Sequence, residues 1–236
     1  MNIFYITGTS KGLGKAICNL LLQDENNFIY GISRNNTIKH KNYKHITLDL
    51  SKPYNITEFK FDTINNAESY TLINNAGIIG DIKHIGNINN KKIIDTYNIN
   101  IVSPSILINN FVKTYKDTDV KSTILNISSG AGRHSIESWS SYCASKSAMD
   151  MFSLVVNDDF YFLRNKNFRI FSVAPGIVDT PMQDDIRLAD NSDFSAVDNF
   201  KNYKRQNLLS SPDKVAQQLI DIISFDNDKI ILDVRD

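Results

Sequence analysis

The sequence predicts an α/β fold in a single domain: a doubly wound, seven-stranded parallel sheet with helices on both faces. Two observations predict it. Short apolar runs alternate with helical patterns along all 236 residues, which is typical of strand–helix–strand units. The length suits one such domain, and 42% hydrophobic with 22% charged residues is typical of a globular chain with a sizeable core.

Seven apolar runs are the predicted strands. Polar or glycine-containing segments separate them, as expected for strands buried in a parallel sheet. The predicted strands cover residues 3–7, 28–33, 45–48, 70–74, 122–128, 168–174 and 229–234.

Helical patterns lie between the strands, at residues 12–23, 89–114 and 138–164. A further helix is expected to begin at Ser211, because this N-cap serine precedes a proline and an acidic residue. Residues 179–210 are polar and irregular, and they break the alternation. A long structureless loop at the carboxyl end of a strand borders the ligand crevice of such a sheet, so we predict a substrate-binding loop or lid.

Charge, cysteine content and hydropathy exclude several other classes. The 26 basic and 26 acidic residues balance, so nothing in the net charge favours a nucleic acid or an anionic membrane as partner. Cys18 and Cys143 are far apart and predict free thiols in a reducing compartment. The basic, apolar and small-residue series of a signal peptide does not precede the first strand, so we expect none. No apolar stretch reaches the roughly 18 residues of a membrane span. We expect a cytoplasmic protein, and no pattern predicts a metal site.

A glycine-rich turn after the first strand predicts a dinucleotide site. Its sequence is T-G-T-S-K-G-L-G over residues 7–14. Glycines permit a tight turn and close approach of a pyrophosphate, and the following helix directs its N–H groups at the phosphates. An ordinary turn with a helix cap is the competing interpretation, but the position in the first strand–helix unit favours the dinucleotide.

This motif resembles the fingerprint of the short-chain dehydrogenase/reductase family, whose members have a Rossmann fold. The resemblance continues through N-N-A-G at residues 74–77 and P-G-x-x-x-T at residues 175–180. It implies a nicotinamide cofactor and the interconversion of a carbonyl and an alcohol. Two segments are similar in sequence to the sepiapterin reductase and benzil reductase subgroup: residues 7–14, and W-S-S-Y-C-A-S-K-S-A-M-D-M-F at residues 139–152.

The resemblance also implies which residues hold the cofactor. Arg34 ends the second strand, where an NAD-preferring site usually carries an acid, and Lys11 lies in the glycine-rich turn. Two converging cations suit a 2′-phosphate, so we predict NADP(H), preferred over NAD(H); ordinary surface charges are the competing interpretation. The residues implied to contact the cofactor are Gly8, Ser10, Lys11, Gly12, Leu13, Gly14, Arg34, Asp49, Leu50, Asn75, Ala76, Gly77, Tyr142, Lys146, Pro175, Gly176, Val178 and Thr180.

Ser129, Tyr142 and Lys146 match the family's catalytic pattern. Tyr142 and Lys146 are four residues apart and share a helix face, which alone is typical of an ordinary exposed pair. Tyr142 is expected to exchange a proton with the substrate, Lys146 to lower the tyrosine's pKa and hold the nicotinamide ribose, and Ser129 to stabilise the substrate oxygen. The resemblance adds Asn100 to the set, because the corresponding asparagine of the family bends the helix and relays protons. Asn98 is the competing choice.

The predicted function is NADP(H)-dependent hydride transfer to a small ketone or diketone. The alternatives are an NAD-dependent alcohol dehydrogenase, a non-catalytic dinucleotide-binding redox sensor and a sugar-nucleotide epimerase, for which the chain is short. Trp139, Met182 and Phe194 either line an apolar substrate pocket or pack in the core, whereas Arg133 and His134 either meet an anionic group or face solvent.

The two long predicted helices commonly pair across a dimer interface in this family. The second carries more apolar residues than one sheet face requires, among them Met151, Leu154 and Val155. We therefore expect a homodimer or a homotetramer of two-fold related pairs.

Overall fold

The computed structural model describes residues 1–225 and 228–235. Over these residues, seven strands form one parallel sheet in the order β3-β2-β1-β4-β5-β6-β7. The strands are β1 (Asn2–Thr7), β2 (Asn27–Ser33), β3 (Tyr43–Thr47), β4 (Ser69–Asn74), β5 (Lys121–Ile127), β6 (Phe168–Ala174) and β7 (Ile231–Asp233). The order reverses between β1 and β4, which opens a crevice at their carboxyl ends. The predicted fold class is confirmed.

Helices cover both faces of this sheet. They are α1 (Gly12–Leu21), α2 (Asn90–Tyr97), α3 (Ser103–Tyr115), α4 (Ser140–Phe162), α5 (Pro181–Arg187), α6 (Val197–Arg205) and α7 (Pro212–Ser224). One hydrophobic cluster packs α1 and α7 on one face, through residues such as Ile17 and Leu219. The other packs α3 and α4 on the opposite face, through Phe111 and Phe160. Each helix thus buries one apolar stripe against the sheet.

The predicted start of α7 is confirmed at its cap. The Ser211 hydroxyl accepts a hydrogen bond from the Lys214 amide at 3.3 Å, and Pro212 occupies the first turn. A serine side chain here satisfies one of the amides that a helix N-terminus leaves without a partner.

The long helix predicted over residues 89–114 is interrupted. A π-helical turn, Asn98–Val102, separates α2 from α3. Pro104 has no amide hydrogen, so the carbonyl four residues earlier, at Asn100, loses its α-helical donor. Such π-turns widen a helix locally, and this one carries Asn100 inward to a buried position.

The prediction that residues 179–210 lack regular structure is wrong, because α5 and α6 lie within them. These helices are short and largely polar, so periodicity does not reveal them. Tertiary packing holds them instead: Ile186, Phe194 and Val197 are almost fully buried in one cluster with Tyr142.

Two further observations bear on the expectations from composition. Cys18 and Cys143 are both free thiols. Among the described residues, no helix combines the length and apolar character that crossing a bilayer requires.

Candidate active site

The turn between β1 and α1 is shaped by its glycines. Gly8 and Gly12 adopt left-handed backbone conformations, with φ of +74° and +57°. A Cβ on Gly14 would lie 2.3 Å from Asn75 Nδ2 and 2.4 Å from the Gly8 carbonyl oxygen. The Asn75 amide also donates to the Thr7 carbonyl at 2.9 Å, which ties the turn after β4 to the glycine-rich turn. Only glycine permits this closeness.

This turn forms a cradle that fits a dinucleotide pyrophosphate. It lies at the N-terminus of α1, where amide hydrogens and the helix dipole favour negative charge. Thr180, from the segment after β6, lies across the cradle, with its Cγ2 3.4 Å from the position of a Cβ on Gly12. Leu13 is buried, while Ser10 and Lys11 are accessible beside the cradle.

The adenosine end of the predicted cofactor site lies after β2 and β3. Arg34 is exposed directly after β2, at the start of a loop whose Thr37 hydroxyl donates to the Ser10 carbonyl of the glycine-rich turn. Burial opposes ionisation of Asp49, but its hydrogen bonds from Ser51 and the charge of Arg34 hold its pKa below the usual value. Arg34 therefore lies close enough to Asp49 for electrostatic interaction. Leu50 is buried, and its carbonyl accepts a hydrogen bond from Ser103 at 2.7 Å.

The predicted catalytic side chains converge at the carboxyl end of β5. Tyr142 and Lys146 lie on the inner face of α4, where only 6% and 5% of their surfaces are exposed. Lys146 Nζ donates to the Ile127 carbonyl at 2.7 Å and lies 5.7 Å from the centroid of the Tyr142 ring. The Ser129 hydroxyl caps a short 3-10 turn by accepting from the Ala131 amide at 3.2 Å.

Burial dominates the proton equilibria of these groups. It raises the pKa of Tyr142 to about 12, against a hydrogen bond with Ser129 that favours the phenolate. It lowers the pKa of Lys146 to about 8, against the opposing charge of Asp150. The ammonium group of Lys146 is directed to the Ile127 carbonyl, and the expectation that it lowers the tyrosine's pKa stays a prediction.

Asn100 lies at the junction of the catalytic and cofactor residues. Its Oδ1 accepts from the Ile78 amide at 2.9 Å, and its Nδ2 donates to the Ile78 carbonyl at 2.9 Å and to Ser145 Oγ at 3.1 Å. A Cβ on Gly77 would lie 3.4 Å from Asn100 Oδ1 and 3.6 Å from Lys146 Nζ. The turn after β4, which also contains Asn75 and Ala76, thus packs against the catalytic cluster.

The competing residue, Asn98, is directed elsewhere. Its amide donates to the Ser51 carbonyl at 3.0 Å, away from the catalytic cluster. The geometry therefore favours Asn100.

The segment after β6 closes the crevice on the opposite side. It runs from Pro175 through Gly176, whose φ is +71°. Val178 is buried and pairs with Ser210 in an isolated parallel bridge. The bridge draws the two ends of the segment containing α5 and α6 together and leaves Thr180 over the glycine-rich turn.

Residues 2–191 match the sequence model of the family described as short chain dehydrogenase. The chain belongs to the short-chain dehydrogenase family. Members of this family are oxidoreductases that act on alcohol and carbonyl groups and bind a nicotinamide dinucleotide. The predicted family resemblance is confirmed.

This dehydrogenase has full-length relatives of named activity. A benzil reductase ((S)-benzoin forming) from Bacillus cereus is 34% identical over 236 residues, which cover 94% of each chain. Its counterpart from Bacillus subtilis (strain 168) is 32% identical over 233 residues, covering 94% of this chain and 93% of its own. A sepiapterin reductase from Xenopus tropicalis is 32% identical over 122 residues, half of this chain and 45% of its own. The predicted subgroup neighbours are confirmed.

A solved structure of a short chain dehydrogenase/reductase from Saccharomyces cerevisiae shares the fold of this dehydrogenase. It superimposes with a TM-score of 0.85 at 23% identity, covering all of this chain and 97% of the yeast chain.

Apolar side chains of the dehydrogenase surround Tyr142. The Trp139 ring meets the Tyr142 ring edge-on, with centroids 5.7 Å apart, and Phe194 packs on Trp139 at 5.6 Å. Met182 packs against the same cluster. The structure therefore brings together the three side chains that the sequence offered for an apolar pocket.

Arg133 and His134 are both exposed, which agrees with the solvent-facing interpretation of these two residues. Arg133 in addition bonds to Asp150 and to the Leu232 carbonyl, which the sequence did not predict. Asp150 and Glu137 were not singled out from the sequence. Asp150 follows Lys146 by one helical turn, a spacing that is visible in the sequence. The hydrogen bonds that Glu137 accepts from His84 and Ser195 join loops that are distant in the chain.

Proposed function

We propose that this dehydrogenase is an NADPH-dependent carbonyl reductase that converts an apolar ketone or 1,2-diketone into an alcohol. One observation carries the proposal: Tyr142, a buried phenol that is protonated at neutral pH, lies between the Ser129 hydroxyl and the apolar cluster of Trp139 and Phe194. The two relatives named for reducing benzil, an aromatic 1,2-diketone, support this substrate class.

The roles of the side chains follow from their protonation. With a pKa of about 12, Tyr142 holds its proton at pH 7 and can donate it to the substrate oxygen as a general acid. The Ser129 hydroxyl donates a hydrogen bond to the same oxygen as negative charge develops. Removal of a proton from an alcohol needs the phenolate, which burial disfavours, so at neutral pH most of the enzyme holds the protonation state that donates to a carbonyl.

The cofactor residues are proposed from the fit of the cradle. The glycine-rich turn would hold the pyrophosphate, Lys146 and Tyr142 the nicotinamide ribose, and the backbone near Val178 with Thr180 the nicotinamide end. When bound, NADPH supplies the hydride. Asn100, which bonds to Ile78 after β4 and to Ser145 beside Lys146 in sequence, is proposed to pass protons from the lysine toward water.

Arg34 is proposed to select NADPH by binding its 2′-phosphate. Replacing Arg34 with alanine is expected to weaken NADPH binding by about 10- to 100-fold, the value of one or two charge-assisted hydrogen bonds, and to leave NADH binding nearly unchanged. Fluorescence titration with both cofactors measures this. Lys39→Ala, which removes a second exposed basic residue from the loop after β2, is the matched control. Equal weakening for NADPH and NADH would contradict the assignment and favour an NAD-dependent enzyme.

The function is tested by following NADPH absorbance with benzil, a simple monoketone and a sugar ketone. Oxidation of NADPH that depends on benzil is expected, at a kcat/KM higher than that for the sugar ketone. Tight NADPH binding without turnover of any carbonyl would contradict the reductase and favour a dinucleotide-binding redox sensor.

The outer face of α4 supports the proposal of a homodimer or homotetramer. Met151, Leu154 and Val155 lie three and four residues apart on one face of α4 and are 60%, 37% and 51% exposed, so they form an apolar surface that a second subunit would cover. A Met151→Glu, Val155→Glu double variant is expected to sediment as a monomer, because buried carboxylates destabilise an apolar interface. Leu208→Glu, at an exposed leucine outside α4, is the control. A wild-type monomer at micromolar concentration in analytical ultracentrifugation would overturn the proposal.

The free cysteines fit a cytoplasmic location.

A further inference from the structure

Asp150 is a buried carboxylate that the catalytic motif does not include. It lies on α4 one helical turn after Lys146 and is 8% exposed. Its Oδ1 accepts from Ser172 Oγ of β6 at 2.6 Å, and its Oδ2 lies 3.4 Å from Arg133 Nε. Burying a carboxylate is costly unless it is paired and hydrogen-bonded, and these two contacts supply the ion pair and the hydrogen bond.

Arg133 fastens the loop that carries Ser129 to the rest of the site. Its guanidinium donates to the Leu232 carbonyl of β7 at 2.7 Å in addition to its contact with Asp150. The neighbouring Gly132 packs directly on α4, since a Cβ there would lie 2.9 Å from the Lys146 carbonyl carbon. The pair of Arg133 and Asp150 therefore joins the loop of Ser129 to the helix of Tyr142 and Lys146.

The charges around Lys146 are few and can be named. Within the described part of the chain, the groups that the structure places beside it from other elements are neutral: the Ile127 carbonyl of β5, which accepts its hydrogen bond, and Gly77 with Asn100, which lie nearby. On α4 itself, Tyr142, Cys143 and Asp150 are the titratable neighbours, and the Asp150 charge stabilises the ammonium form.

Among the described residues, Arg133 is the cation that pairs with Asp150 from another element. Arg133 contacts Asp150 from the loop after β5, whereas Ser172 of β6 is neutral. At the end of β7, Asp233 pairs with Arg235, and the charge of Arg133 also acts on Asp233.

We propose that Asp150 is a positioning residue that keeps Lys146 charged, and that Arg133 moderates this effect by sharing the carboxylate. The two residues thereby set the pH range in which the tyrosine–lysine pair works. The effect on turnover rests on the proposed function; the effect on the charge of Lys146 does not.

The charge of Lys146 can be measured without turnover. Because burial lowers its pKa from 10.5 to about 8, the unfolded chain holds a proton between these values that the native protein has lost. The free energy of unfolding attributable to Lys146 therefore rises with pH across this window. Denaturant titrations from pH 6 to 10, on the protein and on its Lys146→Met counterpart, isolate this contribution by difference.

The two members of the pair are expected to shift this window in opposite directions. Asp150→Asn removes a negative charge near the ammonium, so the lower edge of the window moves down by about 1 pH unit. Arg133→Gln leaves the carboxylate uncompensated, so the edge moves up. Ser172→Ala removes a neutral partner of Asp150 and leaves the edge in place. If Asp150→Asn does not fold, Arg133→Gln by itself tests the proposal, through the expected upward shift of the lower edge.

A merely structural ion pair would lower stability in both variants and leave the edge where it is in the wild type. That result, or shifts in the same direction, would overturn the proposal. In turnover assays, the alkaline limb of the kcat/KM profile is expected to follow the same two shifts. A wild-type protein without turnover would sink the proposed reductase activity, while the unfolding curves would still decide the role of Asp150.

Discussion

Replacing Tyr142 with phenylalanine is expected to lower kcat for carbonyl reduction by about 10²- to 10⁴-fold, the usual value of a positioned general acid. The substitution removes one hydroxyl from a side chain that is already buried against Trp139 and retains the edge-on ring contact. Stability should therefore change little, and NADPH should still bind. Single-turnover kinetics at saturating NADPH, with cofactor titration on the same sample, measure both quantities.

Tyr161→Phe is the matched control for this prediction. Tyr161 lies on the same helix but is 87% exposed, so loss of its hydroxyl should leave kcat unchanged. If Tyr142→Phe retained kcat within a few-fold of the wild type, proton donation would have to come from another group. If it lost NADPH binding as well as turnover, the tyrosine would serve mainly to hold the cofactor.

Replacing Gly14 with alanine is expected to damage the cofactor site and the fold together. The new methyl group would meet Asn75 Nδ2 at 2.3 Å and the Gly8 carbonyl oxygen at 2.4 Å, and both atoms belong to the two turns that form the cradle. One of these atoms is backbone, so the turns must separate. The free energy of unfolding should fall by about 1–3 kcal/mol, as in other overpacked sites, and NADPH affinity should fall with it.

The measurements are chemical denaturation of the protein without cofactor and NADPH titration below the melting temperature. Gly130→Ala is the stability control, because a Cβ there meets only the edge of the His134 ring at 3.4 Å and, 4.0 Å away, the end of the Arg235 side chain. A Gly14→Ala protein that is destabilised yet binds NADPH with wild-type affinity would show that the cradle is not the pyrophosphate site.

The fold was predictable because parallel strands are buried on both faces and therefore form continuous apolar runs. The bounds of the strands at the edges of the sheet were predicted less accurately. β3 begins at Tyr43 rather than residue 45, because this edge strand is only half-buried and alternates with polar residues. Its Tyr43 side chain occupies the space beside Gly31, a contact between distant residues that no local pattern encodes.

The candidate site was predictable in composition but not in environment. Spacing placed Tyr142 and Lys146 on one helix face, and the structure does so. The depth of burial, which raises one pKa and lowers the other, depends on α5 and α6 and on Trp139 packing over the helix. Arg133 was undecided between an anionic ligand and solvent; its bonds to Asp150 and β7 arise from tertiary contacts alone.

The side chains that surround Tyr142 come from a different part of the chain than the residues that transfer the proton, and this affects how substitutions can change the enzyme. Phe194, Met182 and Ile186 come from the segment of α5 and α6, whereas the proton-transfer residues come from β5 and α4. The bridge between Val178 and Ser210 brings the two ends of that segment together. Substitutions in the segment can therefore change the apolar lining of the site, and those that reduce the burial of Tyr142 will lower its pKa as well, so substrate preference and pH dependence change together.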